Sequence, residues 1–400
     1  MNLREIVQTD QVLLEDHWVG LFLKNGRPKL NFPTGLIPSQ DRDGLRRQAR
    51  QLLELLQDAH AFKEDCFEDY SNTTSISQFP LRSMQTLIED YLASGKLITL
   101  PVEHFQLDSP GQIQWNRTLQ SQTPFPNARG RLVYPHLISS KRSLTDDFLI
   151  SQVHAYCLAV SFDYLGWIYT NSQPDLNVPL LNVELFRYQI HKTLSQTFND
   201  RDVAILSCLS SIIDWVANDA HTSTQTYGTS RFDFVWEYLI DSIFGINDKV
   251  EYYPSTAWNA LSDSSSYKNR RLKPDSIMLH QGKTFILDAK YYPFGITKNP
   301  ENLPGSADIN KQITYGNFVA LKYGGPPLFN VFLLPGKTPS IFEPQFYSSV
   351  SWIESPKPHQ IVHAVIFDTT TALESYASGK TRHIKDLLAQ TIESASATLE

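Results

Sequence analysis

Along the first part of the chain the apolar positions alternate with period two and then switch to a period near 3.6. His17-Trp-Val-Gly-Leu-Phe-Leu23 reads as a strand, Asn25-Gly26 as a hairpin turn and Lys29-Leu-Asn-Phe32 as the returning strand. Leucines at 45, 52, 53, 55 and 56 then predict a helix over Arg42 to Cys66, and a second follows over Ser83 to Ser94. Arginines at 42, 46, 47 and 50 on the first helix are expected to form a solvated face, with a partner or phosphate contact as the alternative. Between Asp108 and Ser140 the periodicity gives way to Pro, Gly, Ser and Asn, the composition of a hinge or an elaborate surface loop.

Three apolar-periodic stretches come next, Leu144 to Thr170, Pro179 to Thr197 and Asp202 to Asn218, and predict a helical bundle. After the polar turn Thr222 to Ser230, Phe232 to Gly245 has the rhythm of a helix closed by its glycine. Val250-Glu-Tyr-Tyr253, Ile277-Met-Leu279 and Phe285-Ile-Leu287 are strand-like, the last two joined by His280-Gln-Gly-Lys283. A helix from Ile309 to Lys322 and strands at Leu328 to Leu334 and Ile361 to Phe367 complete the series. The expected architecture is multidomain α/β: a mixed strand-helix region over 1–130, a helical section over 131–225, and a carboxyl-terminal domain over 226–400 with a mixed central sheet flanked by helices.

Composition changes this picture little. Four hundred residues exceed one ordinary core, and a content of 41% hydrophobic and 12% aromatic residues is enough to build two or three. Neither a secretory leader nor a membrane span is predicted, since the apolar run from Ala155 to Tyr169 is broken by Asp163. Cys66, Cys157 and Cys208 are too scattered for a zinc site or a disulfide framework, so reduced thiols and a cytoplasmic location are expected. Charge is more telling. The net charge is -7, yet from Ser264 to Lys322 nine basic residues face four acidic ones, a local +5.

That basic island contains the candidate chemistry. Pro274-Asp275 precedes one predicted strand, and Asp288-Ala-Lys290 ends the next. Residues two apart share a face of a strand, so Asp288 and Lys290 project together. If the strands pair antiparallel through His280-Gln-Gly-Lys283, Asp275 converges on Asp288. Two carboxylates at close range repel unless a cation fills the gap, and Mg²⁺ favours a few carboxylate oxygens, retained waters and a substrate phosphate. Such spacing alone recurs by chance in on the order of one chain in ten of this length. The β-forming runs and the surrounding basic residues raise its weight, and a purely structural Asp288–Lys290 ion pair is the competing explanation. His154 and Cys157, three apart on a predicted helix, lack a second ligand pair and are expected to pack in a core.

The order helix, strands, Pro-Asp, Asp-Ala-Lys, helix, strand resembles the PD-(D/E)xK nuclease superfamily. Leu272-Lys-Pro-Asp-Ser276, Leu287-Asp-Ala-Lys-Tyr-Tyr292 and Gly305-Ser-Ala-Asp-Ile-Asn-Lys-Gln-Ile-Thr-Tyr315 resemble McrC-type nuclease subunits, and among them the LlaJI-type restriction endonucleases. Gly111-Gln-Ile-Gln-Trp-Asn-Arg-Thr118 is similar to an element of the same group. The resemblance implies a PD-(D/E)xK restriction-endonuclease-like domain cutting double-stranded DNA with Mg²⁺ or Mn²⁺. In it Asp275, Asp288 and the helix residue Glu237 hold the metal, Lys290 serves the water nucleophile, and Gln312 with Tyr315 supports the site. It also implies a McrB-like AAA+ GTPase partner. This chain shows no phosphate-binding loop of its own, because Gly282-Lys-Thr284 and Gly336-Lys-Thr338 lack the earlier glycine. A stand-alone repair or mobile-element nuclease and a non-catalytic adaptor that stimulates an AAA+ NTPase are the alternatives.

Overall fold

A computed structural model describes residues 7–8, 18–24, 27–66, 79–99, 101–144, 149–218, 225–261, 265–323, 327–349 and 361–398. The chain forms two compact units, one of residues 1–77 with 224–400 and one of 78–223. Among the described residues no helix is long and apolar enough to cross a membrane.

The first unit opens with β1 (Val7–Gln8), β2 (Val19–Lys24) and β3 (Arg27–Asn31). β2 and β3 pair antiparallel as expected, and the Asn25-Gly26 turn lies outside the described residues. α1 (Arg42–Cys66) buries Leu45, Leu52, Leu53, Leu55 and Leu56. Arg46 departs from the expected solvated face. It is buried and ion-paired with Asp43 at 3.4 Å.

The second unit contains the predicted bundle, α4 (Leu149–Tyr169), α5 (Val183–Leu194) and α6 (Asp200–Ala217), joined by the separately predicted helix α2 (Leu81–Ser94), which packs on α4 and α6. Asn182 and Asn199 cap α5 and α6 by accepting hydrogen bonds from first-turn N–H groups. His154 and Cys157 are buried in this bundle, the imidazole Nδ1 accepting from Ile98 N–H at 2.9 Å. The segment expected as a hinge, Asp108 to Ser140, instead holds β5 (Gln112–Ile113), α3 (Trp115–Ser121), β6 (Phe125–Pro126), β7 (Leu132–Val133) and the start of β8 (Ile138–Leu144), which pairs with β4 (Pro101–Leu107) just before it. β4 and β8 run antiparallel from Pro101↔Leu144 to Leu107↔Ile138. Long-range strand pairing overrides the turn-rich composition here.

The chain then returns to the first unit through β9 (Gln225–Thr229), which pairs with β2, and α7 (Phe232–Phe244). The run Val250–Tyr252, expected as a strand, is a 3₁₀ turn, with Tyr252 stacked on Tyr323. A two-stranded ribbon, β10 (Ala257–Asn259) and β11 (Ser266–Lys268), precedes the main sheet. That sheet comprises β12 (Ser276–His280), β13 (Lys283–Ala289), β14 (Leu328–Gly336), β15 (Phe342–Ser349) and β16 (Ile361–Asp368), in the order β12-β13-β14-β16-β15. It is mixed: β13, β14 and β16 are parallel, and both edge strands are antiparallel to their neighbours. α8 (Phe294–Thr297) and α9 (Ser306–Tyr323) lie between β13 and β14, and α10 (Thr369–Ser378) and α11 (Arg382–Ala397) end the chain.

α9 packs Ile313 against Phe332 and Val362, and Tyr315 and Val319 against Ile277 and Ile286. α7 is fastened to the sheet by the Trp236 indole N–H, which donates to Leu333 O at 3.1 Å. α1 packs on α7 and α10 and so shares the carboxyl-terminal core. The division falls at 77/78 and 223/224, so β2, β3 and α1, expected in a separate region over 1–130, join the carboxyl-terminal unit because the apolar stripe of α1 finds its partners far along the chain. The segment after β3 is tied down in the same way: Thr34 N–H donates to Tyr291 Oη at 2.7 Å, and Thr369 Oγ1 donates to Thr34 O at 3.0 Å. Gly35, at φ 83°, comes close enough to Gly336 that a Cβ would lie 2.6 Å from the Gly336 Cα.

Gly336 is therefore a point where three backbones meet. A Cβ there would sit 2.7 Å from Ile366 Cγ2 and 2.8 Å from Gly295 Cα. Gly336→Ala is expected to destabilise the protein by about 2 kcal/mol through overpacking, whereas Gly305→Ala, where a Cβ meets nothing within 4 Å, should be near neutral. Urea unfolding of the two variants measures the difference.

Candidate active site at the Pro-Asp hairpin

The site begins with a two-residue turn. Gln281 and Gly282 both have positive φ, 49° and 74°, the arrangement of a type I′ hairpin, which matches strand twist and leaves no slack in register. β12 and β13 consequently pair from His280↔Lys283 to Ser276↔Leu287, and Asp275, one residue further back, faces Asp288. The Asp275 carboxylate Oδ2 accepts from the Ala289 N–H at 2.8 Å. Its main-chain carbonyl accepts from Lys249 Nζ at 3.2 Å.

Asp288 is 1% exposed. Lys290 Nζ stands 2.7 Å from its Oδ2 and Lys311 Nζ 3.8 Å from its Oδ1. Neither oxygen receives a well-oriented hydrogen bond among the described residues. Lys290 also reaches Asp308 Oδ1 at 3.1 Å, so its ammonium bridges two carboxylates. Burial opposes that charge, but the two aspartates outweigh it and hold the lysine firmly protonated.

The other acids are held in the opposite sense. Burial, followed by the charges of Asp288 and Glu237, raises Asp275 well above the usual carboxylate range. Glu237, on α7, is pushed up to about 7 by burial and then by Asp233 and Asp288. Asp233 is itself paired with Arg231 at 2.8 Å. Of the six candidates named from sequence, Asp275, Asp288, Lys290 and Glu237 thus form one electrostatic cluster.

Gln312 and Tyr315 act at one remove. Gln312 is fully buried and its Nε2 donates to Ile286 O at 2.7 Å, pinning α9 to the strand two residues before Asp288. Tyr315 Oη donates to Lys273 O at 3.0 Å, bracing the backbone two residues before Asp275. Two residues of the cluster escaped the sequence reading: Asp308 and Lys311, in the first turns of α9. Their spacing of three, which puts both on one side of a helix, was the signal available.

Among the described residues no three His, Cys, Asp or Glu side chains converge closely enough to cage a metal ion. The donors nonetheless suit a hard divalent cation of the Mg²⁺ kind. Such ions take one or two carboxylates and retain waters, and Asp288 offers two buried oxygens that only lysine ammonium groups approach.

The raised Glu237 sets a pH dependence for the metal-free protein. A carboxyl whose folded value lies above its unfolded value stabilises the fold below the unfolded value of 4.5. That contribution is lost as pH rises through about 7. Glu237→Gln should therefore gain on the wild type, by on the order of 2 kcal/mol, as the buffer moves from pH 4.5 to pH 8. Denaturant titrations across that range with EDTA present test this, and parallel stability curves would refute it.

Comparison with known proteins bears on what this cluster belongs to. The family model for the LlaJI restriction endonuclease matches residues 19–351. A component of the type II restriction enzyme BsuMI, YdjA of Bacillus subtilis (strain 168), is 28% identical over 246 residues, 58% of this chain and 53% of that protein. The chain thus spans about half the length of that relative. A solved assembly of Thermococcus gammatolerans McrB AAA+ hexamers with bound McrC is similar over 93% of this chain and 83% of that chain, at 11% identity and a TM-score of 0.40. The match to the family model runs through both compact units and includes every residue of the acidic cluster, and on that ground the chain belongs to the LlaJI restriction endonuclease family.

Proposed function

We propose that the chain is the DNA-cleaving subunit of a restriction system, a PD-(D/E)xK nuclease that hydrolyses phosphodiester bonds of double-stranded DNA with Mg²⁺ or Mn²⁺. The observation that carries this reading is Asp288, a buried carboxylate set between two lysines and facing a second carboxylate. Asp288 and Asp275 would hold the ion, with Glu237 completing the anionic wall. The cation would polarise the phosphate and lower the pKa of water nearby.

The chain's own residues would do the rest. Lys290, fixed between Asp288 and Asp308, would orient the attacking water and offset charge developing on the phosphate. Lys311 is 42% exposed and has Asp288 as its one ion-pair partner among the described residues, which leaves it able to meet a phosphate directly. Gln312 and Tyr315 hold the two acid-bearing segments at fixed separation. In this reading an AAA+ GTPase of McrB type is the partner that governs when cutting occurs, as the resemblance to McrC-type subunits implies.

Asp288→Ala and Lys290→Ala should each lower cleavage at least a thousandfold, with folding retained by circular dichroism, while Lys311→Gln should raise KM more than it lowers kcat. EDTA should stop cleavage and Mg²⁺ restore it. Cutting at the wild-type rate by both Asp288→Ala and Lys290→Ala would remove the assignment. Cleavage by the purified chain without partner or nucleotide would favour a stand-alone nuclease.

A further inference from the structure

The ribbon of β10 and β11 belongs to neither the main sheet nor a core. All six of its residues are exposed, Trp258 to 74% and Tyr267 to 67%. The antiparallel register sets Trp258 opposite Tyr267, so both rings share one face, and Lys268, opposite Ala257, lies on the other. Immediately beyond come Arg270, Arg271 and Lys273. Over residues 254–274 four basic residues accompany one acid, Asp263. No described carboxylate lies within ion-pair range of Lys268 or Lys273.

The root of the ribbon is rigid. Asn269 N–H donates to Thr256 O at 2.8 Å, and its side chain donates to Thr256 Oγ1 at 3.0 Å. Leu272 N–H donates to Pro254 O at 2.9 Å, and Lys273 O accepts from Tyr315. Six residues separate Lys268 from Asp275, so the ribbon is a stiff outgrowth of the segment that carries the first acid of the site. Exposed aromatic rings on a basic, unpartnered strand pair are costly in water unless a partner covers them. An anionic partner with flat apolar faces satisfies both the charge and the rings.

We propose that this ribbon is a grip on the DNA substrate, lying against the duplex beside the scissile phosphate. The major groove of B-DNA admits a two-stranded ribbon of this kind. Lys268, Arg271 and Lys273 meet backbone phosphates, and Trp258 with Tyr267 lies against base edges and thymine methyl groups in the groove. The inference rests on the nuclease reading given above and adds to it the element that positions the substrate.

The test is duplex binding by the full chain in EDTA, followed by the fluorescence anisotropy of a labelled DNA across a range of salt concentrations. Trp258→Ala combined with Tyr267→Ala should weaken binding about tenfold with the salt dependence unaltered. Lys268→Gln combined with Lys273→Gln should reduce the slope of log affinity against log salt by about two. Thermal melting of both variants should match the wild type, since every altered side chain is exposed. Wild-type affinity in both variants, or no duplex binding by the chain at all, overturns the proposal. So does retained DNA affinity together with lost self-association or lost binding to an AAA+ partner, which would make the ribbon a protein interface. The nuclease reading fails on a different observation, intact DNA after incubation of the wild type with Mg²⁺ and partner.

Discussion

Everything at the candidate site depends on the register between β12 and β13. In a strand pair a slip of one residue turns each side chain to the opposite face. Here such a slip would separate Asp275 from Asp288 and point Lys290 away from both. The Gln281-Gly282 turn sets the register at one end, and the Asp275 bond to Ala289 N–H locks it at the other. Parallel pairing of β13 with β14 from Thr284↔Leu328 to Ala289↔Leu333 holds the strand from its second side. The catalytic proposal is therefore an argument about backbone hydrogen bonds before it is one about carboxylates.

The charges packed onto that frame do not balance. Asp275, Asp288, Asp308 and Glu237 face Lys290 and Lys311, four potential negative charges against two positive, and Asp233 is already matched by Arg231. Without a further cation the imbalance is relieved by protons, which is the physical content of the raised Asp275 and Glu237. A divalent cation would supply the missing two charges without protonation. The acids of the cluster are carboxylates, donors that suit a hard, oxygen-bound cation better than a thiolate and imidazole cage.

Much of this was legible in the chain because the informative signals are local. The strand alternation around Ile277 and Phe285, the turn residues between them and the two-residue spacing of Asp288 and Lys290 depend on neighbours in sequence, and the helices from Arg42 and Phe232 carry their own periodicity. What escaped depends on distant partners. Asp108 to Ser140 looks like a loop because the strands that frame it pair only across its full width, Leu107 with Ile138 and Pro101 with Leu144. Val250–Tyr252 has strand-forming residues but coils into a 3₁₀ turn where Tyr252 meets Tyr323. Asp308 and Lys311 read as ordinary polar helix residues until the fold brings α9 over the end of β13.

The position of the amino-terminal residues limits how the chain can divide its labour. A region that served only to contact a partner would be expected to detach from the sheet with little effect on it. Instead Thr34 bonds through both its N–H and its carbonyl to Tyr291 and Thr369, and Gly35 lies against Gly336 at the end of β14. Tyr291 immediately follows Lys290, and its ring packs on Phe232 and Trp236 of α7, the helix that carries Glu237. A displacement of the segment around Thr34 would therefore act on the lysine and on the helix glutamate together. Residues before position 78 are structural members of the site-bearing unit, and any signal they transmit from a partner has a physical route to Lys290 that is one residue long.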